Sequence, residues 1–289
     1  MDILIQLLIN GILLGGAYAG LSVGLTLIFG VVRIVNFAHG EFLMIGMYAT
    51  YLLVTQAGLN VYQSMLPVAL LLFALGFGMQ KLILQPIMNA DPHMQIFATV
   101  GVSFTLMNVA LLVFGANVVS TPNAVNAEPW SLAGFSILPG QVATLCVSLL
   151  GALALRIFLH RTFMGRALLA ISQNRNAAAL MGINIRFAYA LAFGLGAACV
   201  GLVSATLTTQ YPVFPTVGSY FVLVCFVVVV LGGLGSIAGS IAGAMIIGIV
   251  DSLAGFYVST GLKEVVYFAI FILILAIRPA GLFGKDKGV

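Results

Sequence analysis

The chain has 289 residues, 62% of them hydrophobic and only 6% charged, with a mean hydropathy of +1.19. A soluble domain of this size could not bury so much apolar surface, so the bilayer must act as solvent for most of it. The net charge of +4 comes from a few Lys and Arg in loops, which points to the cytoplasmic loops of a membrane protein and away from nucleic acid.

The first apolar stretch, 3–32, opens with Asp2 instead of a basic cluster and reads as a membrane helix, not a cleaved signal peptide. About thirty residues at ~1.5 Å each span about 45 Å, more than the ~30 Å hydrocarbon core. This helix must therefore be tilted, bent or extended into the interface, and Gly15, Gly16, Gly20 and Gly24 make bending feasible. Eight further segments follow at 37–55, 65–86, 94–116, 140–160, 186–210, 219–232, 239–256 and 263–279. Their apolar runs are continuous and do not alternate, so each is predicted as helix and not as barrel strand. The expected fold is all-α: a polytopic helical membrane protein of eight or nine crossings, one transmembrane domain over 1–289. Segments 37–55 and 219–232 are short enough to be partial crossings.

Five arginines (Arg156, Arg161, Arg166, Arg175, Arg186) fall in a stretch without acids; indeed no Asp or Glu occurs between Glu128 and Asp251. The positive-inside rule puts the loop 161–185 in the cytoplasm. Counting crossings from there places Arg33, Lys81, His93, Arg278, Lys285, Lys287 and Val289 inside. Met1, the Gln56–Ser64 and Tyr211–Pro215 turns and the insert 117–139 are then outside. Only Lys263, next to Glu264, is left as an outer cation. The insert carries the turn formers Asn117, Pro122, Asn123, Asn126, Pro129, Gly134 and Pro139, and the single tryptophan, Trp130. Trp130 reads as an interfacial anchor, with a docking surface for an external partner as the alternative.

Gly16, Gly20 and Gly24 repeat every four residues, as do Gly235, Gly239 and Gly243, a spacing that lets membrane helices approach closely. Apolar runs ending in Ile45-Gly46 and Ile247-Gly248 suggest that these are matching parts of an internal repeat. Paired Gly-broken segments point to a transport pathway.

Gly20-Leu21-Ser22-Val23-Gly24 matches the hydrolase nucleophile elbow but lies inside a membrane helix, where the required strand-to-helix turn is missing. No Walker motif is present, so any ATP must be hydrolysed by a partner. Cys146, Cys199 and Cys225 stand alone in apolar runs and read as helix-packing residues. The densest polar cluster is Arg33, Asn36, His39 and Glu41. Asn36 and Glu41 fit a helix cap and first turn, and the same cluster fits the lining of a translocation route. Asp251 is an isolated acid, either a cation site or a solvated residue near the outer end of its helix.

In the arginine loop, Met164-Gly165-Arg166-Ala167-Leu168-Leu169-Ala170 begins a short helix that Gln173, Asn174, Arg175 and Asn176 interrupt, and Gly182 suits its end. Such a helix either lies on anionic lipid headgroups or fits as a knob into the groove of a cytosolic partner.

Val35-Asn36-Phe37-Ala38-His39-Gly40-Glu41-Phe42, Val230-Leu231-Gly232-Gly233-Leu234-Gly235-Ser236-Ile237, the loop from Gly165-Arg166 to Leu180-Met181-Gly182-Ile183-Asn184, and Arg278-Pro279-Ala280-Gly281-Leu282-Phe283-Gly284 occur in one order along the chain. Together they resemble the signatures of branched-chain amino-acid ABC transporter permeases of the LivH type. Ala238 stands where that family usually has Pro, and 117–139 shows no likeness. The resemblance implies one permease domain in a bacterial inner membrane, N-terminus periplasmic and C-terminus cytoplasmic. It works with a second homologous permease subunit, two cytosolic ATPase subunits that hold ATP and magnesium, and a periplasmic solute-binding protein. This chain then binds no cofactor and is not itself an enzyme. Asn36, His39, Glu41, Gly232, Gly233, Gly235 and Ser236 become candidates for the substrate pathway or subunit interface. Arg166, Gln173, Asn174, Arg175, Asn176, Ala178, Ala179 and Gly182 become candidates for ATPase coupling. Alternatives are a sibling permease for urea or another small polar solute, an ion-coupled carrier using Glu41 or Asp251, and a channel.

Overall fold

In lipid a backbone must satisfy its own polar groups, which makes the helix the default element. The structure is a computed structural model that describes residues 2–122, 128–132 and 134–284. Expectations resting on Met1, Asn123, Asn126, Lys285, Lys287 and Val289 lie outside the described residues. The helices are α1 (Asp2–Val32), α2 (His39–Thr55), α3 (Val61–Met79), α4 (Pro92–Phe114), α5 (Pro139–Arg161), α6 (Phe163–Gln173), α7 (Arg175–Leu180), α8 (Ile185–Leu207), α9 (Val217–Gly232), α10 (Ile237–Tyr257) and α11 (Lys263–Ile277). A π turn, Gln80–Leu84, and a 3₁₀ turn, Gln85–Ile87, prolong α3.

Six of these are long and apolar enough to cross a membrane: α1, the prolonged α3, α4, α5, α8 and α10. α2, α9 and α11 have 17, 16 and 15 residues, about 22–26 Å at ~1.5 Å each, short of a full crossing. Every apolar segment read from the sequence is therefore helical, and the chain is a polytopic helical membrane protein. Large apolar side chains such as Leu70, Phe97, Phe104, Leu112, Leu150 and Ile272 point outward, as a lipid solvent permits.

α1 is buried along most of its length and forms the axis of the molecule. α8 packs on α3 as α1 packs on α10; α1 meets α8, α2 meets α9, and α4 lies on α2 as α11 lies on α9. Exchanging α1–α4 with α8–α11 leaves this set of pairs unchanged. These are two structural halves, joined by α5–α7. α1 and α8 run antiparallel, because Gly24 abuts Gly196 while Gly20 abuts Val203. The halves are therefore inverted relative to each other, the architecture of many transporters.

The structure revises the repeat read from glycine spacing. The counterpart of α1 is α8, and Gly239 and Gly243 at the start of α10 pack on the end of α9. Four-residue glycine spacing reports close helix approach in general and does not by itself identify equivalent helices.

Where the halves meet, the N-terminal turns of α2 and α9 touch. A Cβ on Gly40 would strike the carbonyl oxygen of Gly218, and a Cβ on Gly218 that of Gly40. His39, the first residue of α2, bonds the Leu21 carbonyl within α1, about 16 Å up from Val32 at ~1.5 Å per residue. Residues 33–38 thus fold back along α1, and α2 starts deep inside the molecule.

The two ends differ. One carries the arginine loop, residues 33–38, the α9–α10 turn and residues 278–284. The other carries the start of α1 and the insert, which contains two short antiparallel strands, β1 (Trp130–Leu132) and β2 (Phe135–Ile137), with Trp130 opposite Ile137. The turn formers of the insert predict turns here, and the two strands add to them. Gln6 fastens β2 to α1 through the backbone N–H and carbonyl of Ser136 (3.0 and 2.8 Å). Val119 pairs with Val213 through two backbone hydrogen bonds (3.0 and 2.8 Å), covering the segment that leads into α9. Trp130 is exposed.

Candidate functional site

The start of α2 concentrates buried polar groups. Asn36 Oδ1 accepts the Ala38 N–H (3.1 Å), closing the turn just ahead of the helix. The helix therefore starts at His39, two residues later than Phe37, and Asn36 shapes its approach without capping it directly. α4 clamps this segment: Phe37 N–H donates to Thr99 Oγ1 (3.4 Å) and the Ser103 hydroxyl donates to Glu41 Oε1 (3.1 Å). A carbonyl can only accept, so the 3.0 Å contact with Leu21 assigns the proton of His39 to Nε2. Asn36, His39 and Glu41 are all buried. Asn36 Nδ2, His39 Nδ1 and Glu41 Oε2 find no hydrogen-bond partner among the described residues. Unpaired buried polar atoms are uncommon in a sealed core, and here three lie within six residues.

Arg33 takes φ +60, a conformation few non-glycine residues adopt, and its guanidinium donates to the Ser172 carbonyl of α6 (3.3 Å). It lies between two cavities at the arginine end. One, of about 690 Å³, is lined by Thr26, Gly30, Arg33, Ser172, Gly235 and Ser236, among others. The other, of about 490 Å³, is more polar and includes Arg33, Gln95, Gln173, Asn174, Arg175 and Asn176. The α9–α10 turn and the arginine loop, distant in sequence, thus share one cavity wall.

Gly233 and Gly235 hold φ +103 and +87, values that favour glycine. Ser236 caps α10 by accepting the Gly239 N–H (3.1 Å). This cap closes the turn ahead of Ala238. Residues 279–284 pair with the end of α9: Leu282 and Phe283 N–H donate to the carbonyls of Leu231 and Gly232 (2.8 and 3.1 Å).

The arginine loop forms two helices. Thr162 caps α6 through Gly165 N–H (2.9 Å), and Asn174 breaks the chain and caps α7 through the N–H groups of Asn176 and Ala177 (both 3.0 Å). α7 ends with Gly182 at φ +82; Gly182 N–H bonds Ala179 O and Ile183 N–H bonds Ala178 O, a Schellman closure. Arg166, Gln173, Asn174, Arg175, Asn176, Ala179 and Gly182 are exposed. Ala178 is not: at 4% exposure it packs inside the chain, so it presents nothing to a partner. Arg175 lies over the Tyr189 ring (5.6 Å), tying α7 to α8. Leu180 and Met181, 89% and 83% exposed, belong to the loop motif read from the sequence but not to its coupling candidates.

Asp251 is not solvated. It is 2% exposed, accepts a hydrogen bond from Tyr18 (2.5 Å) and pairs with Lys263 (2.9 Å). Lys263 thus answers Asp251 and not its neighbour Glu264. Among the described residues no group of three or more His, Cys, Asp or Glu could hold a metal ion.

A family profile described as the permease component of the branched-chain amino acid transport system matches residues 7–275. The high-affinity branched-chain amino acid transport system permease protein LivH of Escherichia coli K12 is 32% identical, over 98% of this chain and 96% of its own length. LivH of Salmonella typhimurium is 31% identical with the same coverage. BraD of Pseudomonas aeruginosa, named likewise as a high-affinity permease protein, is 30% identical with the same coverage.

Proposed function

Because this chain belongs to the permease-component family of branched-chain amino acid transport systems, we propose that it is the membrane subunit of an ATP-binding-cassette importer for apolar, foremost branched-chain, amino acids. The observation that carries this reading is the match along nearly the whole of both chains to permeases named for that cargo. In this reading the arginine end faces the cytoplasm of a bacterial inner membrane and the hairpin end faces the periplasm, as the distribution of Lys and Arg favours.

Two cytosolic ATPase subunits, holding ATP and magnesium, dock on α6 and α7. A second permease subunit completes the pathway, and a periplasmic binding protein delivers the solute to the hairpin end. The knob is Leu180 and Met181, two bare apolar side chains of the kind that anchors interfaces, flanked by Gln173, Asn174, Asn176 and Ala179. A push on α6 reaches Arg33 through the Ser172 carbonyl, and from there the segment bearing Asn36, His39 and Glu41. Those three residues and the Gly232, Gly233, Gly235 and Ser236 turn line or adjoin the route. An apolar amino acid needs few fixed charges along its path, which fits a chain with 6% charged residues.

The test is reconstitution in proteoliposomes with the partner subunits and binding protein. ATP should drive accumulation of L-leucine, L-isoleucine or L-valine, and the chain alone should pass none. Accumulation of urea but of no amino acid would overturn the cargo. Passive or proton-driven flux through the chain alone would overturn the class.

A further inference from the structure

One charged group inside the helical body is left unused by this account. Asp251 of α10 holds two ligands, the Tyr18 hydroxyl of α1 on Oδ2 (2.5 Å) and the Lys263 ammonium on Oδ1 (2.9 Å). The same ammonium stands 5.5 Å from the centre of the Tyr220 ring at the start of α9. Phe221 meets both Tyr18 and Tyr211 edge to face, with centroids 6.5 and 5.3 Å apart. The carboxylate is 2% exposed, whereas the Lys263 side chain is 24% exposed, so the cluster is reached from the lysine side.

Stability does not explain the arrangement. A buried ion pair roughly breaks even with apolar residues of the same volume, because desolvating two charges offsets their attraction. What the cluster does build is a site for a primary ammonium: a fixed carboxylate, oriented by a phenol, with an aromatic face beside it. Its present occupant is tethered. Lys263 is the first residue of α11, and its ammonium sits on a flexible four-carbon stem. Around the site, half-buried Tyr211 and Tyr220 and buried Phe221 offer ring surface for an apolar side chain.

We propose that Asp251, with Tyr18 and Tyr220, is an ammonium-binding station on the hairpin side of the route, closed at rest by Lys263 and opened by a zwitterionic α-amino acid. The incoming α-ammonium takes the place of the Lys263 ammonium on Asp251 and Tyr220. The released Lys263 ammonium pairs with the incoming α-carboxylate. One ion pair becomes two, with no proton or net charge transferred. The station rests on the amino-acid reading above and deepens it, because a neutral solute such as urea has neither group with which to displace the lysine.

The experiment compares wild type, the double variant Asp251→Asn with Lys263→Met, and Tyr220→Leu, each in the complete complex with its binding protein. Removing both charges leaves no stranded ion, so the double variant should assemble and keep ATPase stimulation by loaded binding protein within about twofold. Its leucine uptake should fall about tenfold or more. Tyr220→Leu keeps the ion pair and tests the site even if the double variant does not assemble; its uptake should fall about threefold, the scale of a lost cation–π contact. Wild-type uptake in Tyr220→Leu, or in an assembled double variant, would show the pair to be structural and overturn the station alone. A wild-type complex that transports no amino acid would overturn the cargo reading and the station together.

Discussion

The two inverted halves share a backbone plan but not their chemistry. In both, a half-length helix starts inside the molecule and meets its counterpart, α2 at Gly40 and α9 at Gly218, each packed against a longer apolar helix of the other half. Beside the start of α2 the polar groups are neutral hydrogen bonders around one carboxylate: Asn36, His39, Thr99 and Ser103 around Glu41. Beside the start of α9 they are aromatic rings around an ion pair, Tyr18, Tyr211 and Tyr220 around Asp251 and Lys263. The glycine contacts carry the symmetry and the polar side chains depart from it.

The comparison can be broken most strongly at the ion pair. Asp251→Ala strands the buried Tyr18 hydroxyl and leaves the half-buried Lys263 ammonium without its partner, and breaking a buried pair costs up to roughly 3–5 kcal/mol. Thermal unfolding of the detergent-solubilised complex should show this loss, whereas Glu41→Ala, which strands only the Ser103 hydroxyl, should cost about 1–2 kcal/mol. Equal losses would mean that the two carboxylates play the same structural part.

The glycine contact sharpens the symmetry. Gly40→Ala and Gly218→Ala each drive a methyl into the other helix's carbonyl, an overpacking of about 1–3 kcal/mol. The two variants should be destabilised to a similar degree, since each new methyl meets the other glycine's carbonyl. A harmless substitution at one position would deny that the half-helices meet there. A smaller effect is expected at Ser103→Ala, which removes a single hydrogen bond to Glu41 and should lower stability by about 1 kcal/mol.

How far the sequence carried these features depended on their range. Long apolar runs are local, and all nine became helices at nearly the read positions. Asn174 and Gly182 were legible as a helix break and a helix end because capping chemistry acts over three or four residues. The hairpin strands hold three residues each, too few to display alternation. The Tyr18–Asp251 contact spans 233 positions, and no local pattern announces it. Ala178 and Leu180 lie in a six-residue helix, less than two turns, so the inward and outward faces could not be told apart by period. The repeat was visible as glycine spacing but matched to the wrong helices, because that spacing marks close approach wherever it occurs.

Against these paired features stands the connection between the halves, α5–α7, which has no counterpart across the axis. α6 and α7 lie at the arginine end only: Ser172 and Gln173 line the cavity shared by Arg33 and the Gly235–Ser236 turn, and Leu180 and Met181 are exposed at the end of α7. In the proposed importer, the energy of ATP hydrolysis enters through α6 and α7. The direct measurement is ATP-driven leucine uptake by the complete complex carrying Leu180→Asp and Met181→Asp together. Both side chains are exposed, so the permease itself should lose no more than about 0.5 kcal/mol of stability. Uptake should fall at least tenfold, with ATPase subunits lost from the complex or no longer stimulated by loaded binding protein. Undiminished, fully coupled uptake in that variant would contradict the account.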